Sequence, residues 1–170
     1  MKGAPLLALV GDANVLIDFA EANEAVLALI VQHVARLIVP TPVLAEVDIL
    51  DEPKCVALGV EVVEPTLAQM REAAAPHPAL SFADQICLIV ARDAGATCLT
   101  NDGPLGEECE ANCVPRMRGL RPLLALVECG ALPLSVAIGT VERIRAANSY
   151  ITPAIVEDFR QLAHEAESRR

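Results

Sequence analysis

The stretch Leu6-Leu-Ala-Leu-Val-Gly-Asp-Ala-Asn-Val-Leu-Ile-Asp18 decides how the rest of the chain reads. Its apolar run over residues 6–10 is too short for an ordinary helix and suits a strand buried on both faces. Gly11 and Asp12 close the run, and apolar residues from 15 to 22 then follow a helical period. A buried strand that runs directly into a helix is the opening half of a strand–helix–strand unit, whose next strand lies parallel to the first.

The same alternation continues outward. Asn23 is placed to cap a helix from 24 to about 35, with Val26, Leu29, Ile30 and Val34 on one face. A second strand over 37–39 is closed by Pro40. Thr41-Pro42 then opens a helix, because proline at the first helical position lacks an N–H that would have no partner anyway. A third strand over 60–63 follows Gly59, and a helix covers 66 to about 74 before a proline-broken loop at 75–78. Ser81-Phe-Ala-Asp84 has the spacing of a capping box and opens an apolar helix to about 94, stopped by Gly95. A fourth strand over 97–99 leads to a turn at Asn101-Asp102-Gly103, and a weaker fifth strand is expected around 113–117. From 120 onward the pattern is helical only: 120–128, 135–147 and 152–167, punctuated by Gly130, Pro133 and Pro153. The expected fold is therefore α/β, a three-layer α/β/α sandwich around a parallel sheet of four to five strands. It divides into an α/β domain over 1–118 and a helical extension over 119–170 packed on the same domain.

At 170 residues the chain is about one domain, and 54% hydrophobic residues suffice for a substantial core. Its only aromatics are Phe19, Phe82, Tyr150 and Phe159, which makes the interior aliphatic and excludes a multi-aromatic platform for single strands. Thirteen basic against 23 acidic side chains leave a net charge of −10. Such a chain repels polyphosphate, so a nucleic-acid role requires bound cations or a basic partner. The lysines are Lys2 and Lys54 alone. No apolar stretch approaches the ~18 residues of a membrane span, and Asp12 breaks the short apolar start that a secretion signal would need. These features imply an intracellular, cytoplasmic chain whose six cysteines are reduced. Cys109 and Cys113 are the only close pair, and without histidines at ligand spacing they argue free or buried thiols over zinc.

Four acids fall on one edge of this expected sheet. Strand carboxyl ends and the amino ends of the following helices share an edge in right-handed units. Asp12 lies just past strand one and Asp102 just past strand four. Glu46 is on the helix leaving strand two, and Asp84 is in the first turn of the helix preceding strand four. Two like charges 4 Å apart cost about 4 kcal/mol at an effective dielectric of 20. Such acids must bind a cation or stay partly protonated. All-oxygen donors favour Mg²⁺ or Mn²⁺ over Zn²⁺, and the chemistry such a site suits is phosphodiester hydrolysis.

The residues around these acids resemble the successive motifs of PIN-domain nucleases: Asp12-Ala-Asn14-Val-Leu-Ile-Asp18, then Pro42-Val-Leu-Ala-Glu46-Val, then Phe82-Ala-Asp84, then Leu99-Thr100-Asn101-Asp102. The resemblance runs from about residue 6 to 117. It implies a divalent-metal-dependent ribonuclease, most familiarly a VapC-like toxin with a small antitoxin partner. By matching position it makes Asp12, Glu46, Asp84 and Asp102 the catalytic, metal-binding acids, with Asn14 and Thr100 as polar supports. The densest basic run, Arg116, Arg118 and Arg121, is either a contact for substrate phosphates, Arg116 and Arg118 foremost, or a solvated face. The tail past 117, with Gly119-Leu-Arg-Pro-Leu-Leu, departs from the compact toxins and resembles PIN-like proteins with extra C-terminal helices.

Two other enzyme classes gather aspartates at this edge or share the fold. Phosphoacceptor domains need a lysine at the phosphoryl group, and neither lysine is suitably placed. A dinucleotide-binding fold needs a glycine-rich turn after strand one, which is missing. A third reading is a PIN-like scaffold that binds a partner without cutting. Its tail residues Ile144, Ile151, Ile155, Val156, Phe159 and Leu162 then either pack on the domain's own core or form a homodimer or antitoxin surface.

Overall fold

The computed structural model describes residues 7–169; Leu6, assigned above to the first strand, lies outside them. Strands β1 (Ala8–Gly11), β2 (Arg36–Pro40), β3 (Glu61–Val63), β4 (Thr97–Leu99) and β5 (Arg116–Met117) form one sheet in the order β3-β2-β1-β4-β5. All neighbours are parallel. Val10 stands between Ile38 and Cys98, and Leu9 between Leu37 and Thr97. Leu9, Val10, Leu37, Cys98 and Leu99 are fully buried, as continuous apolar strands covered on both faces should be.

The chain moves from β1 through β2 to β3 in one direction, then returns to place β4 and β5 on the other side of β1. Right-handed crossovers therefore put helices α1 (Ala13–Asn23) and α2 (Ala25–His33) on one face of the sheet. Helices α5 (Leu67–Ala73), α6 (Phe82–Asp93) and α7 (Gly103–Ala111) take the opposite face, while the short α3 (Thr41–Leu44) and α4 (Glu52–Ala57) lie toward the β3 side. Helix α6 lies against β1, β2 and β4 and buries Ile86, Cys87 and Ile89. Both reciprocal bonds of its N-terminal capping box form, and Gly95 takes the left-handed conformation (φ +61°) that stops it.

Helices α8 (Arg121–Glu128), α9 (Leu134–Ala147) and α10 (Pro153–Ser168) build outward from the α1–α2 layer: α9 on α1, α8 on α2, and α10 across both α8 and α9. Ile144, Ile151, Val156 and Phe159 are buried there, whereas Ile155 and Leu162 remain exposed along a shallow groove of about 230 Å³ shared with Leu120 and Leu124. Among the described residues no helix is long and apolar enough to cross a membrane.

Local departures from the sequence expectations have local causes. Asn23 does not cap α2, because α1 runs on through it; its amide donates instead to Thr140 Oγ1 at 3.4 Å, and Glu24 starts α2 without a side-chain cap. Helix α3 is four residues long. Beyond it the N–H groups of Glu46 and Val47 bond the carbonyls of Val43 and Leu44, a three-residue spacing that ends the α-helix and leaves Glu46 on a turn. Asn101-Asp102-Gly103 is not a mere turn, since Asp102 caps α7 and Pro104 occupies its first turn. All six cysteines are free: Cys113 and Cys129 are exposed and the other four buried.

Ile144 is 1% exposed on α9, the helix packed on α1. Ile144→Ala should lower the unfolding free energy by about 2–5 kcal/mol, the cost of a large-to-small change in a packed core. Denaturant unfolding followed by circular dichroism should show that loss in one transition; a separate early transition for the helical tail would contradict packing on the shared core.

Candidate functional site

β1 and β4 are neighbours whose following segments leave in opposite directions across the sheet, and open α/β sheets bind ligands at such a switch point. Asp12 ends β1 there. It is the N-cap of α1, in extended conformation, and its Oδ1 accepts from Val15 N–H at 2.8 Å. Its Oδ2 accepts from the Thr100 hydroxyl, and Thr100 Oγ1 in turn accepts from Asp102 N–H at 3.0 Å. The Asp12 N–H donates to Leu99 O at 3.1 Å. One carboxylate thus ties the end of β1 to the end of β4.

The other acids are set by their own helix ends. Asp102 caps α7 through Oδ1, which accepts from Leu105 N–H at 2.8 Å. Asp84 Oδ2 accepts from Ser81 N–H at 2.9 Å within the capping box of α6. Capping therefore uses one oxygen of each, and the second oxygen of Asp84 and of Asp102 has no hydrogen-bond partner among the described residues. Glu46 is exposed on the turn after α3.

Asp12 is 3% exposed. Burial pushes its carboxyl up to about 6; the bonds from Thr100 and Val15 oppose the rise, and the charges of Asp84 and Asp102 add to it. Partial burial, and then Asp84, raises Glu46 above its ordinary range. Asp12 thus feels the charges of Asp84 and Asp102, and Glu46 that of Asp84. Among the described residues, however, no three His, Cys, Asp or Glu side chains form a ready-made metal cage.

The remaining predicted residues divide. Thr100 bridges Asp12 and Asp102 as just described. Asn14 is exposed in the first turn of α1 and bonds to none of the four acids. Arg116 is engaged by the protein: its guanidinium lies against Gly106 of α7, where a Cβ would stand 2.0 Å from Nη1, and Nη2 donates to Asp102 O at 3.0 Å. Its Nε is buried without a partner. Arg116 therefore braces the loop that carries Asp102. Arg118 is exposed just past the end of β5.

Sequence reading missed what lies beside the acids. A cleft of about 570 Å³ opens between α1, the start of α7 and the α9–α10 connection, with Asp102 on its wall. Asp18 sits in it and accepts from Asn148 Nδ2 on both oxygens, at 3.0 and 3.2 Å. Burial raises Asp18 to about 6, with the Asn148 bond opposing and Glu21 adding. The signal was available in part, since residues 14, 18 and 21 recur at helical spacing on one face of α1.

No family model matches the chain, and no curated protein matches it. A solved structure to which it is similar is a PilT N-terminus domain protein from the hyperthermophilic archaeon Sulfolobus solfataricus P2, with a TM-score of 0.46 and 11% identity over 68% of this chain and 90% of that one.

A carboxyl raised from 3.8 to about 6 binds its proton more tightly folded than unfolded, so the folded state loses stability as pH climbs through that window. Asp12→Asn should accordingly gain stability relative to the natural protein between pH 4 and pH 7, by up to about 3 kcal/mol in metal-free buffer. Thermal melts at both pH values check this; a difference that does not change with pH would mean Asp12 is not a strained carboxylate.

Proposed function

We propose that this chain is a PIN-like, divalent-metal-dependent ribonuclease that hydrolyses RNA phosphodiester bonds at the Asp12–Asp102 switch point. The observation that carries the reading is the buried Asp12 carboxylate, raised by burial and by Asp84 and Asp102, with hydrogen-bond donors but no basic side chain as its partners. The donor set suits a hard cation: every candidate ligand is a carboxylate oxygen, and Asp84 and Asp102 each keep one uncommitted. An ion of the Mg²⁺ or Mn²⁺ type keeps several of its waters and takes few protein ligands. The uncommitted oxygens of Asp84 and Asp102 would hold it beside Asp12. When bound, such an ion supplies an activated water and stabilises the developing charge on phosphate oxygens.

Each residue has a part that does not depend on the ion. Thr100 fixes the orientation of Asp12 and, through the same hydroxyl oxygen, the backbone of Asp102. Arg116 steadies the Asp102 carbonyl from behind. Arg118, exposed at the same end of the sheet, is the side chain free to meet an RNA phosphate. With a net charge of −10, the chain needs such local positive charge, or cations, to bring RNA in. The absence of a ready-made cage favours a second reading, a PIN-like scaffold that binds a partner without cutting.

Asp84→Asn and Asp102→Asn each keep an oxygen able to accept the capping bond, so the fold should survive. Each should lower Mn²⁺-dependent cleavage of a defined RNA by about a hundredfold or more, since even outer-sphere changes at metal sites cost 10–100-fold. Cleavage that persists in EDTA or in both variants would reject the site; no cleavage by the natural protein under any divalent ion would favour the scaffold.

Cation binding to the folded state alone must also stabilise it. Millimolar Mn²⁺ should raise the thermal midpoint of the natural protein at pH 7 and raise that of Asp12→Asn much less. Equal shifts would place the cation elsewhere.

A further inference from the structure

The cleft beside the acids has a composition that a phosphate site would not have. Asp18 and Glu21 from α1 and Asp102, the cap of α7, face it, so phosphate is repelled from its interior. Neutral hydrogen-bonding groups, Asn14 and Asn148 among them, make up much of the rest. At about 570 Å³ it has the volume of a small-molecule site. At its rim stands Tyr150, the one tyrosine of the chain, 85% exposed.

That tyrosine is not on a loose loop. Its N–H donates to Asn148 Oδ1 at 3.0 Å, and Asn148 Nδ2 donates to both oxygens of Asp18. A two-step network therefore anchors the backbone of Tyr150 to α1. Asp18 has its oxygens engaged by Asn148, whereas Glu21 is exposed and has no hydrogen-bond or ion-pair partner among the described residues.

We infer that this cleft is the subsite for one guanine base of the RNA strand, stacked on the Tyr150 ring and read by the Glu21 carboxylate. Single-stranded bases are commonly recognised by stacking on an aromatic ring and hydrogen bonding at the pairing edge. Guanine alone among the four bases offers two adjacent N–H donors along that edge, which match the two oxygens of a carboxylate. Its neighbouring carbonyl oxygen suits an amide donor such as Asn14. The acidic lining that rejects phosphate thus accepts a base edge rich in donors. Asp102, common to the cleft and the acid cluster, sets the base next to the phosphate to be cut. The inference rests on the ribonuclease reading for its substrate, but base binding needs neither metal nor turnover.

With one tyrosine and no tryptophan, the chain's intrinsic fluorescence reports on Tyr150 itself. Uncharged nucleosides, titrated into the full-length protein in EDTA with correction for absorption, should give saturable quenching with guanosine at concentrations where adenosine, cytidine and uridine give little. By calorimetry, Tyr150→Phe should bind guanosine about as the natural protein does, and Tyr150→Ala about tenfold or more weakly. Glu21→Gln should weaken guanosine about tenfold and leave uridine unchanged. No saturable response to any nucleoside, an equal response to all four, or guanosine binding indifferent to both Tyr150→Ala and Glu21→Gln would each overturn the inference. Guanosine binding in a protein that never cleaves RNA would uphold the subsite and reject the nuclease reading; metal-dependent cleavage without guanosine binding would do the reverse.

Discussion

A carboxylate almost out of contact with water organises one end of this molecule. Burying a charge is costly unless it is paired, and Asp12 is met by two hydrogen-bond donors and no basic side chain. The arginine tied to the same loop, Arg116, gives its bond to the Asp102 carbonyl. Around Asp12 the chain ends of the three central and right-hand strands are fastened: Asp12 N–H to Leu99 O, Thr100 N–H to Met117 O, and Asp102 N–H to Thr100 Oγ1. The arrangement holds the backbone firmly while leaving the carboxylate's charge unbalanced. A neutral cap in place of Asp12 would satisfy the backbone equally well, so the fold alone does not require the charge.

Much of this was legible because strand and helix signals do not depend on distant partners. The apolar runs at β1, β2 and β4, the Ser81–Asp84 capping box and the Gly95 stop are local physics, and each appears where the residues put it. What was misread was also local but ambiguous. Asp102-Gly-Pro is compatible with a turn and with a helix start, and only the Leu105 N–H bonding back to Asp102 decides for the helix. The end of α3 depends on a three-residue hydrogen-bond pattern that composition does not announce. Arg116 was beyond reach in a different way. Its seat exists because residue 106 is glycine, and nothing in the spacing of 106 and 116 says that a guanidinium will lie on that backbone.

With a net charge of −10, where the acids lie matters more than how many there are. At the Debye length of about 8 Å in physiological salt, a distant acid matters little and the local lining matters most. The acids at this end of the sheet fall in two groups that share Asp102: Asp12, Asp84 and Asp102 around the switch point, and Asp18, Glu21 and Asp102 on the adjoining cleft.

The helical tail is what bounds the cleft. Asn148 reaches Asp18 across 130 positions of sequence, a contact that exists only if α9 lies on α1. The burial of Ile144, Val156 and Phe159 therefore does more than stabilise the tail: it sets the α9–α10 connection, and Tyr150 with it, opposite the first helix of the sheet domain. A sandwich lacking α9 and α10 would keep every one of the four acids and lose one wall of the cleft. The core fold places the acids at the switch point, and the added helices bound the space beside them, so the cleft is a property of the tail's packing and the acid cluster a property of the sheet.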